Sequence, residues 1–380
     1  MKTVLQVLEA TEGGTRRHLR DLVGALDPAA FRCVLAVSCR RDPDFQSDLA
    51  AWRARGLEVT ELAMRRGVSP FADLAALTGL VRCVRRVRPD LIHAHSAKAG
   101  ALARAAGALC RVPVVYTPHA FPFLMMEGGP RRRAFYRRVE RLARRGTATV
   151  IAVSREEEAA ALALGYARER VALIPNGVAP CEAGAVIVRD TAALRVGFLG
   201  RLTRQKGPDL LLDAMQEVVV HLPHVRVVIY GDGPMAAPLR ARAELGPLAG
   251  HVRFAGPSAQ PDAVSLLRGV DVAVVPSRWE GCPYVVLEAF QAGVPVAAAA
   301  VGGVVDLIRH GENGLCVPPE DPEALGDALL TLLRDAVLRR KLAEQGRATL
   351  ADLTLAQMVS RVEQVYRGVC GEPPTEAAAR

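Results

Sequence analysis

Residues 276–293 read P-S-R-W-E-G-C-P-Y-V-V-L-E-A-F-Q-A-G, and the organisation of the chain can be worked outward from them. Just upstream, Val270, Ala273, Val274 and Val275 make the apolar run of a parallel strand buried on both faces. Just downstream, residues 284–291 are helix formers and Gly293 is a natural stop. Glu280 therefore falls in a strand-to-helix loop, and Glu288 lies one or two turns inside the helix. Backbone N–H groups at the helix start, around Cys282, Tyr284 and Val285, attract anions such as phosphate. Pro283 suits the first turn, where its missing N–H is not needed. Carboxylates on either side of an anion site suit sugar or ribose hydroxyls, from which they accept hydrogen bonds. Taken alone, the pair reads more simply as a capping glutamate and a solvated helix residue, so the rest of the chain has to decide.

A chain of 380 residues is long enough for two domains with separate cores. Hydrophobic content of 50% and charged content of 23% are ordinary for an α/β protein. A net charge of +9 favours anionic partners: nucleic acid, nucleotide-sugars or acidic lipid. Aromatic residues make up only 4% of the chain, too few for the stacking platforms of a nucleic-acid binder, so no nucleic-acid partner is expected. The eight cysteines show no metal-ligand spacing, and Cys33, Cys83, Cys110 and Cys316 read as buried thiols of a reducing cytosol. The opening residues read as a strand rather than a leader, and no apolar stretch approaches a membrane span.

Strand-like runs at 3–8, 31–37, 57–62, 90–95, 112–116, 149–153 and 171–174 alternate with helical patterns such as 15–26, 74–87 and 97–108. A second round begins at 195–200 and continues through 226–231, 251–255, 270–276, 294–298 and 315–317. Such alternation predicts two doubly wound, Rossmann-like α/β domains with a cleft between them. The expected boundaries are 1–183 and 195–352, with a linker at 184–194, a helix at 353–370 and a disordered tail at 371–380.

Ligands of such sheets bind beyond the carboxyl ends of the strands. In the first domain those ends carry Glu9 to Thr15, with Gly13 and Gly14 allowing close backbone approach to a ligand. They also carry His93-Ala94-His95-Ser96-Ala97-Lys98-Ala99-Gly100, and His119 between two prolines. His93 and His95 share a strand face, but no third metal ligand lies nearby in sequence, so no metal is expected. Ser96 as a helix cap and Lys98 directed into the cleft are the functional reading. Asp42-Pro43-Asp44 reads as a turn and cap, and Ser154 to Glu157 as a capping box without further role. Residues 131–145 carry eight arginines against one Glu, with Phe135, Val139 and Leu142 at helical spacing. That pattern fits an anionic membrane surface through Arg131, Arg132, Arg133, Arg137, Arg138 and Arg141.

In the second domain, Gly200-Arg201-Leu202-Thr203-Arg204-Gln205-Lys206-Gly207 ends its first strand. A guanidinium fork and an ammonium point charge between glycines are what a diphosphate requires. The P-loop pattern and the dinucleotide G-x-G-x-x-G are both absent. Gly231-Asp232-Gly233-Pro234 and Gly302-Gly303 follow. This order, G-R-x4-K-G, G-D-G-P, S-R-W-E-x7-E and G-G, resembles the retaining glycosyltransferases of family 4 over nearly the whole chain. Pro175-Asn176-Gly177, Gly13-Gly14 and His119 match as well. Two departures are Cys282-Pro283-Tyr284 where many members carry F-G, and Asp306 where Glu is usual.

The resemblance implies a GT-B fold whose last helix crosses back onto the first domain. It implies that Arg201 and Lys206, beside Gly200, hold the donor diphosphate, that Glu288 binds the ribose and that Glu280 binds the donor sugar. The amides of Tyr284, Val285, Gly13 and Gly14 would surround the leaving phosphate and acceptor, and His119 would contact the sugar. No cofactor is implied, the substrate being a nucleotide-diphosphate sugar, UDP- or GDP-linked. The stretch from His95 to Gly100 resembles a subgroup that builds bacterial surface polysaccharide on polyprenyl-diphosphate lipids. His95, Ser96 and Lys98 are then acceptor contacts, and the protein would sit in the cytoplasm against the inner face of the plasma membrane. A nucleotide-sugar epimerase on the same fold is the alternative, as is, at a greater distance, a basic nucleic-acid-binding protein.

Overall fold

The apolar runs become the strands of two parallel sheets in a computed structural model that describes residues 1–42, 44–65, 67–125, 129–181, 193–257 and 262–372. The first sheet holds β1 Lys2–Leu8, β2 Phe31–Val37, β3 Glu58–Glu61, β4 Leu91–His95, β5 Val114–Thr117, β6 Thr149–Ala152 and β7 Val171–Leu173, in the order β3-β2-β1-β4-β5-β6-β7. Its helices are α1 Gly13–Ala25, α2 Phe45–Ala54, α3 Pro70–Val87, α4 Ala97–Cys110, α5 Pro130–Ala143 and α6 Arg155–Ala163. The second sheet holds β8 Arg195–Leu199, β9 Arg226–Tyr230, β10 Val252–Gly256, β11 Val272–Val275, β12 Val296–Ala299 and β13 Leu315–Val317, in the order β10-β9-β8-β11-β12-β13. Around it lie α7 Pro208–His221, α8 Ala236–Ala243, α9 Ala263–Leu267, α10 Tyr284–Ala292, α11 Val304–Leu307, α12 Pro322–Arg334 and α13 Ala336–Thr349. The last helix, α14, spans Leu355–Val369.

Successive residues of a strand point to opposite faces, and here both faces are covered. Leu5 and Val7 of β1 pack with Ala76 and Leu80 of α3 and Leu102 of α4, whereas Val4 packs with Leu22 of α1 and Met358, Val359, Val362 and Tyr366 of α14. This is why the strands read as continuous apolar runs rather than alternating ones. The i, i+1, i+4, i+8 spacing of the buried α14 residues is one helical face, and it places the helix on the first sheet.

The chain accordingly divides into Met1–Asn176 with Leu355–Arg380, and Gly177–Thr354. The division falls ahead of the expected 183 because residues 178 and 179 are tied into the second unit. Val178 N–H donates to Leu353 O at 3.0 Å, and Gln291 Nε2 donates to Ala179 O at 2.6 Å. Residues 184–192 of the expected linker and 373–380 of the expected tail lie outside the described residues. Cys83 is buried, while Cys33, Cys110 and Cys316 are half-buried. Burial still pushes the Cys33 thiol up to about 12 and Cys316 to about 11. Among the described residues no helix is long and apolar enough to cross a membrane.

Candidate active site

Each sheet changes direction beside its first strand, between β1 and β4 and between β8 and β11. Open parallel sheets bind ligands at such switch points. Gly13 and Gly14, which open α1, and the turn at Ser96 follow the first pair of strands. Residues 200–207 and 276–283 follow the second.

In the second unit, Lys206 Nζ donates to Glu280 Oε1 at 2.6 Å, and Ser277 Oγ donates to the same oxygen at 2.6 Å. Glu280 is only 6% exposed and Glu288 only 7%, so neither is a solvated helix residue. Isolated carboxylates do not stay buried without compensation, which makes this pair the most informative feature of the unit. Around it the two loops are fastened together. Arg278 N–H donates to Gln205 O at 2.8 Å, and Gln205 Nε2 to Trp279 O at 3.2 Å. The Arg278 guanidinium grips Asp209 with both arms, at 2.9 and 2.7 Å, and reaches Glu320 at 2.8 Å. Hydrogen bonding to Asp209 raises its pKa further, so Arg278 is a fixed cation that serves the loop. Arg201 lies half-buried, within 3.4 Å of Gln205 Oε1.

Two glycines are required by this geometry. Gly207 has φ 65°, and a Cβ there would overlap Pro276 O. A Cβ at Gly303 would overlap Gly281 O, so the Gly302-Gly303 pair lets its turn close on the 276–283 loop. Pro283 is the residue before α10 rather than in its first turn, its ψ of 117° being extended. Tyr284 and Val285 open the helix as expected, and Gly293, left-handed at φ 70°, ends it.

In the first unit a chain of polar contacts runs beneath the strand ends. Gln6 Nε2 donates to Tyr366 Oη at 3.0 Å, and Tyr366 in turn donates to His93 Nδ1 at 2.6 Å. His93 Nε2 is left to donate to Thr117 Oγ1 at 2.8 Å, while Gln6 Oε1 accepts from His95 Nε2 at 2.9 Å. His95 Nδ1 faces His119 Nε2 at 3.3 Å. His18, from α1, donates its Nδ1 proton to Asn176 Oδ1 at 2.9 Å. Sequence reasoning missed His18, Gln6, Asn176 and Tyr366 as one assembly. The Pro175-Asn176-Gly177 match marked Asn176, but nothing local joins it to His18. His95, expected as an acceptor contact, is fully buried and stands behind the half-buried His119. Lys98, expected to point into a cleft, is held by both oxygens of Asp73 at 2.7 Å, so its charge orders the start of α3.

His119 and Ala120 both have positive φ, 52° and 78°, an uncommon conformation for residues with side chains. Glu157 holds it: its carboxylate accepts from Ala120 N–H as well as from Val153 N–H at 3.0 Å. The capping box at Ser154 therefore has a second role, clamping the turn that aims His119. Asp42 closes its turn by accepting from Asp44 N–H at 2.9 Å and pairs with Arg16 at 2.8 Å. Asp44 precedes α2 but makes no side-chain cap bond, and Pro43 is outside the described residues.

The cluster has a pH signature. Burial lowers His18 to about 4 and holds His93, His95 and His119 well below their ordinary value. Between about 4 and 6.5 the unfolded chain binds the extra protons, so this stability is fully present above 6.5 and lost as pH falls toward 4. His18 alone accounts for roughly 3 kcal/mol. Glu157, raised by burial to about 7, runs the other way: its contribution is present below 4.5 and lost as pH rises through 7. Four histidines outweigh one glutamate, so the melting temperature of the first unit is expected to fall steeply from pH 6.5 to 4. His18→Asn should flatten that fall, and melts across a pH series would check it. A midpoint independent of pH in that window would contradict a neutral cluster.

In α5, Arg131, Arg132, Arg137, Arg138 and Arg141 are exposed and Arg133 is half-buried. Phe135 and Leu142 are exposed among them, at 53% and 67%, whereas Val139 is half-buried. At and just before the start of α3, Val68, Phe71 and Leu74 are also exposed, with Phe71 90% exposed. The sequence marks this patch only by three apolar residues around a helix-opening proline, which read more naturally as core.

Comparison with known proteins agrees with these observations. Residues 13–177 match the family described as glycosyl transferase 4-like domain, and 186–349 match glycosyl transferases group 1. The chain is 30% identical to the D-inositol 3-phosphate glycosyltransferase of Corynebacterium urealyticum, over 81% of this chain and 79% of that protein. It is 27% identical to the UDP-Gal:alpha-D-GlcNAc-diphosphoundecaprenol alpha-1,3-galactosyltransferase of Escherichia coli, over 79% of this chain and 81% of that protein. Its fold is the GT-B fold of Anabaena HepE, solved with UDP and glucose, at a TM-score of 0.80 and 21% identity, covering 97% of this chain and all of that one.

Proposed function

Because the chain belongs to the glycosyltransferases that join a glycosyl transferase 4-like domain to a group 1 domain, we propose that it is a retaining enzyme using a UDP- or GDP-sugar. Its acceptor is a glycan on polyprenyl diphosphate, and its product enters bacterial surface polysaccharide. The observation that carries this reading is the pair of half-buried Lys206 and buried Glu280 at the β8/β11 switch point. Lys206 and Arg201 take the diphosphate, Glu280 the sugar hydroxyls and Glu288 the ribose hydroxyls. The amides of Tyr284 and Val285, with Gly200 giving close backbone approach, add donors to the phosphates.

As the bond from the anomeric carbon to the phosphate oxygen breaks, charge builds on the departing diphosphate. The fixed cations Arg201 and Lys206 stabilise it without a metal. The acceptor hydroxyl attacks from the same face and gives its proton to a leaving phosphate oxygen, so no carboxylate nucleophile is needed. In the first unit His119 meets the sugar, held by Glu157 and backed by the buried His95. Gly13, Gly14 and Ser96 serve the acceptor side, and Lys98 positions α3. The lipid acceptor is supported by the diphosphoundecaprenol in the Escherichia coli relative's name and by the exposed Phe71, two residues before the Asp73 that holds Lys98.

A transfer assay tests this, with nucleotide-sugars and polyprenyl-diphosphate glycans in vesicles and the product's anomeric configuration read by NMR. Transfer in the presence of EDTA with the donor's configuration kept is the expected result; inversion or a strict metal requirement would overturn the mechanism. The arginine face of α5 is proposed to rest on the anionic inner leaflet, with Phe135 and Leu142 entering the interface. Replacing Arg131, Arg132, Arg133, Arg137 and Arg138 with Ser should weaken binding to anionic vesicles on the order of 10³-fold, at roughly 1 kcal/mol per residue. Unchanged vesicle sedimentation would remove the membrane contact.

A further inference from the structure

We propose that His18, His95 and His119 form a three-histidine site for a divalent transition ion of the zinc class. One nitrogen from each ring lies within 4.8 Å of the others. The surrounding hydrogen bonds decide which nitrogens face inward. His95 Nε2 is committed to Gln6 Oε1, which leaves the Nδ1 lone pair toward the cluster. His18 Nδ1 is committed to Asn176 Oδ1, which leaves Nε2, and that atom is buried with no hydrogen-bond partner among the described residues. A buried, unsatisfied nitrogen is costly, and a metal would satisfy it. The amide partners have the geometry by which metal-bound histidines are ordinarily fixed, one ring nitrogen to the ion and the other to a carbonyl-type oxygen.

The distances fit. In a tetrahedral site with zinc–nitrogen bonds of about 2.0–2.1 Å, two nitrogens are about 3.4 Å apart. His95 Nδ1 and His119 Nε2 are 3.3 Å apart. The third nitrogen lies no more than 4.8 Å from the other two and so has up to about 1.4 Å to close. Three protein ligands leave a fourth position open, and the half-buried His119 gives the ion a way in. His93 is excluded, because Tyr366 and Thr117 occupy both its nitrogens. The sequence offered only His93 and His95 on one strand and gave no third ligand; the fold sets His95 beside two rings from α1 and the loop after β5.

An ion here takes the His119 nitrogen. If His119 meets the donor sugar, as proposed above, zinc inhibits transfer. That consequence rests on the proposed function, whereas the site does not.

The test uses the full chain stripped with a chelator and titrated with Co²⁺, whose visible ligand-field bands report tetrahedral nitrogen ligation independently of any activity. Stoichiometric bands displaced by Zn²⁺ are expected, with affinity reduced at least tenfold in His18→Asn and His119→Ala and unchanged in His93→Gln. His119→Ala keeps the test decisive if His18→Asn does not fold. Absence of bands, or bands that survive both substitutions, would overturn the site. Zinc that binds without slowing transfer would remove the inhibitory consequence.

Discussion

Lys206→Ala is expected to lower turnover by about 10²- to 10³-fold, the range for removing one charge-stabilising donor from a transition state. Its ammonium is not a free cation, since Glu280 already holds it at 2.6 Å in a site where Glu280 is 6% exposed. The substitution therefore does two things: it removes a charge from the diphosphate and leaves a buried carboxylate without its cation. The double variant Lys206→Ala, Glu280→Gln separates them. It should regain much of the stability lost in the single variant and none of the turnover. Steady-state kinetics beside thermal melts would show this. Full activity in the folded single variant would remove Lys206 from the mechanism.

Arg104→Ala should destabilise the first unit by roughly 3–5 kcal/mol, the cost of breaking a buried ion pair from one side. Arg104 and Glu140 are each about 3% exposed and bonded at 2.8 Å. Arg104 also donates to Gly100 O at 2.9 Å and lies 4.4 Å from the centroid of the Tyr116 ring. Glu140 is the one acid among the arginines of 131–145. Its burial sets the rotation of α5, and so which arginines face outward. Replacing both partners with Leu should restore most of the loss, because the apolar pair leaves no charge unpaired. Denaturant unfolding of the three variants checks it, and a double variant no better than Arg104→Ala would contradict the account.

The strands were legible because a parallel strand buried on both faces reads as a near-continuous apolar run, as in β11, with Gln6 of β1 a buried polar exception. The α14 helix was legible at 355–369 because its one apolar face has helical period. The motifs read as the donor side were placeable because they occur as short stretches on loops that follow strands, here β8 and β11. The histidine cluster was not, since its contacts join residue 6 to 366 and 18 to 176, and no local pattern encodes such pairs. Lys98 and Arg278 show a different limit: sequence gives the charge but not the carboxylate already bound to it. Val68, Phe71 and Leu74 show a third, because periodicity marks apolar residues without saying whether a partner covers them.

The most direct measurement is the thermal shift produced by UDP, GDP, ADP, their sugars, NAD and a DNA duplex, in the intact chain and in Lys206→Ala. A ligand that binds only the folded state raises the midpoint as its concentration passes its dissociation constant. The account predicts a shift with one nucleoside diphosphate and its sugar, lost in Lys206→Ala. No shift with any nucleotide, or a shift with the duplex instead, would contradict it.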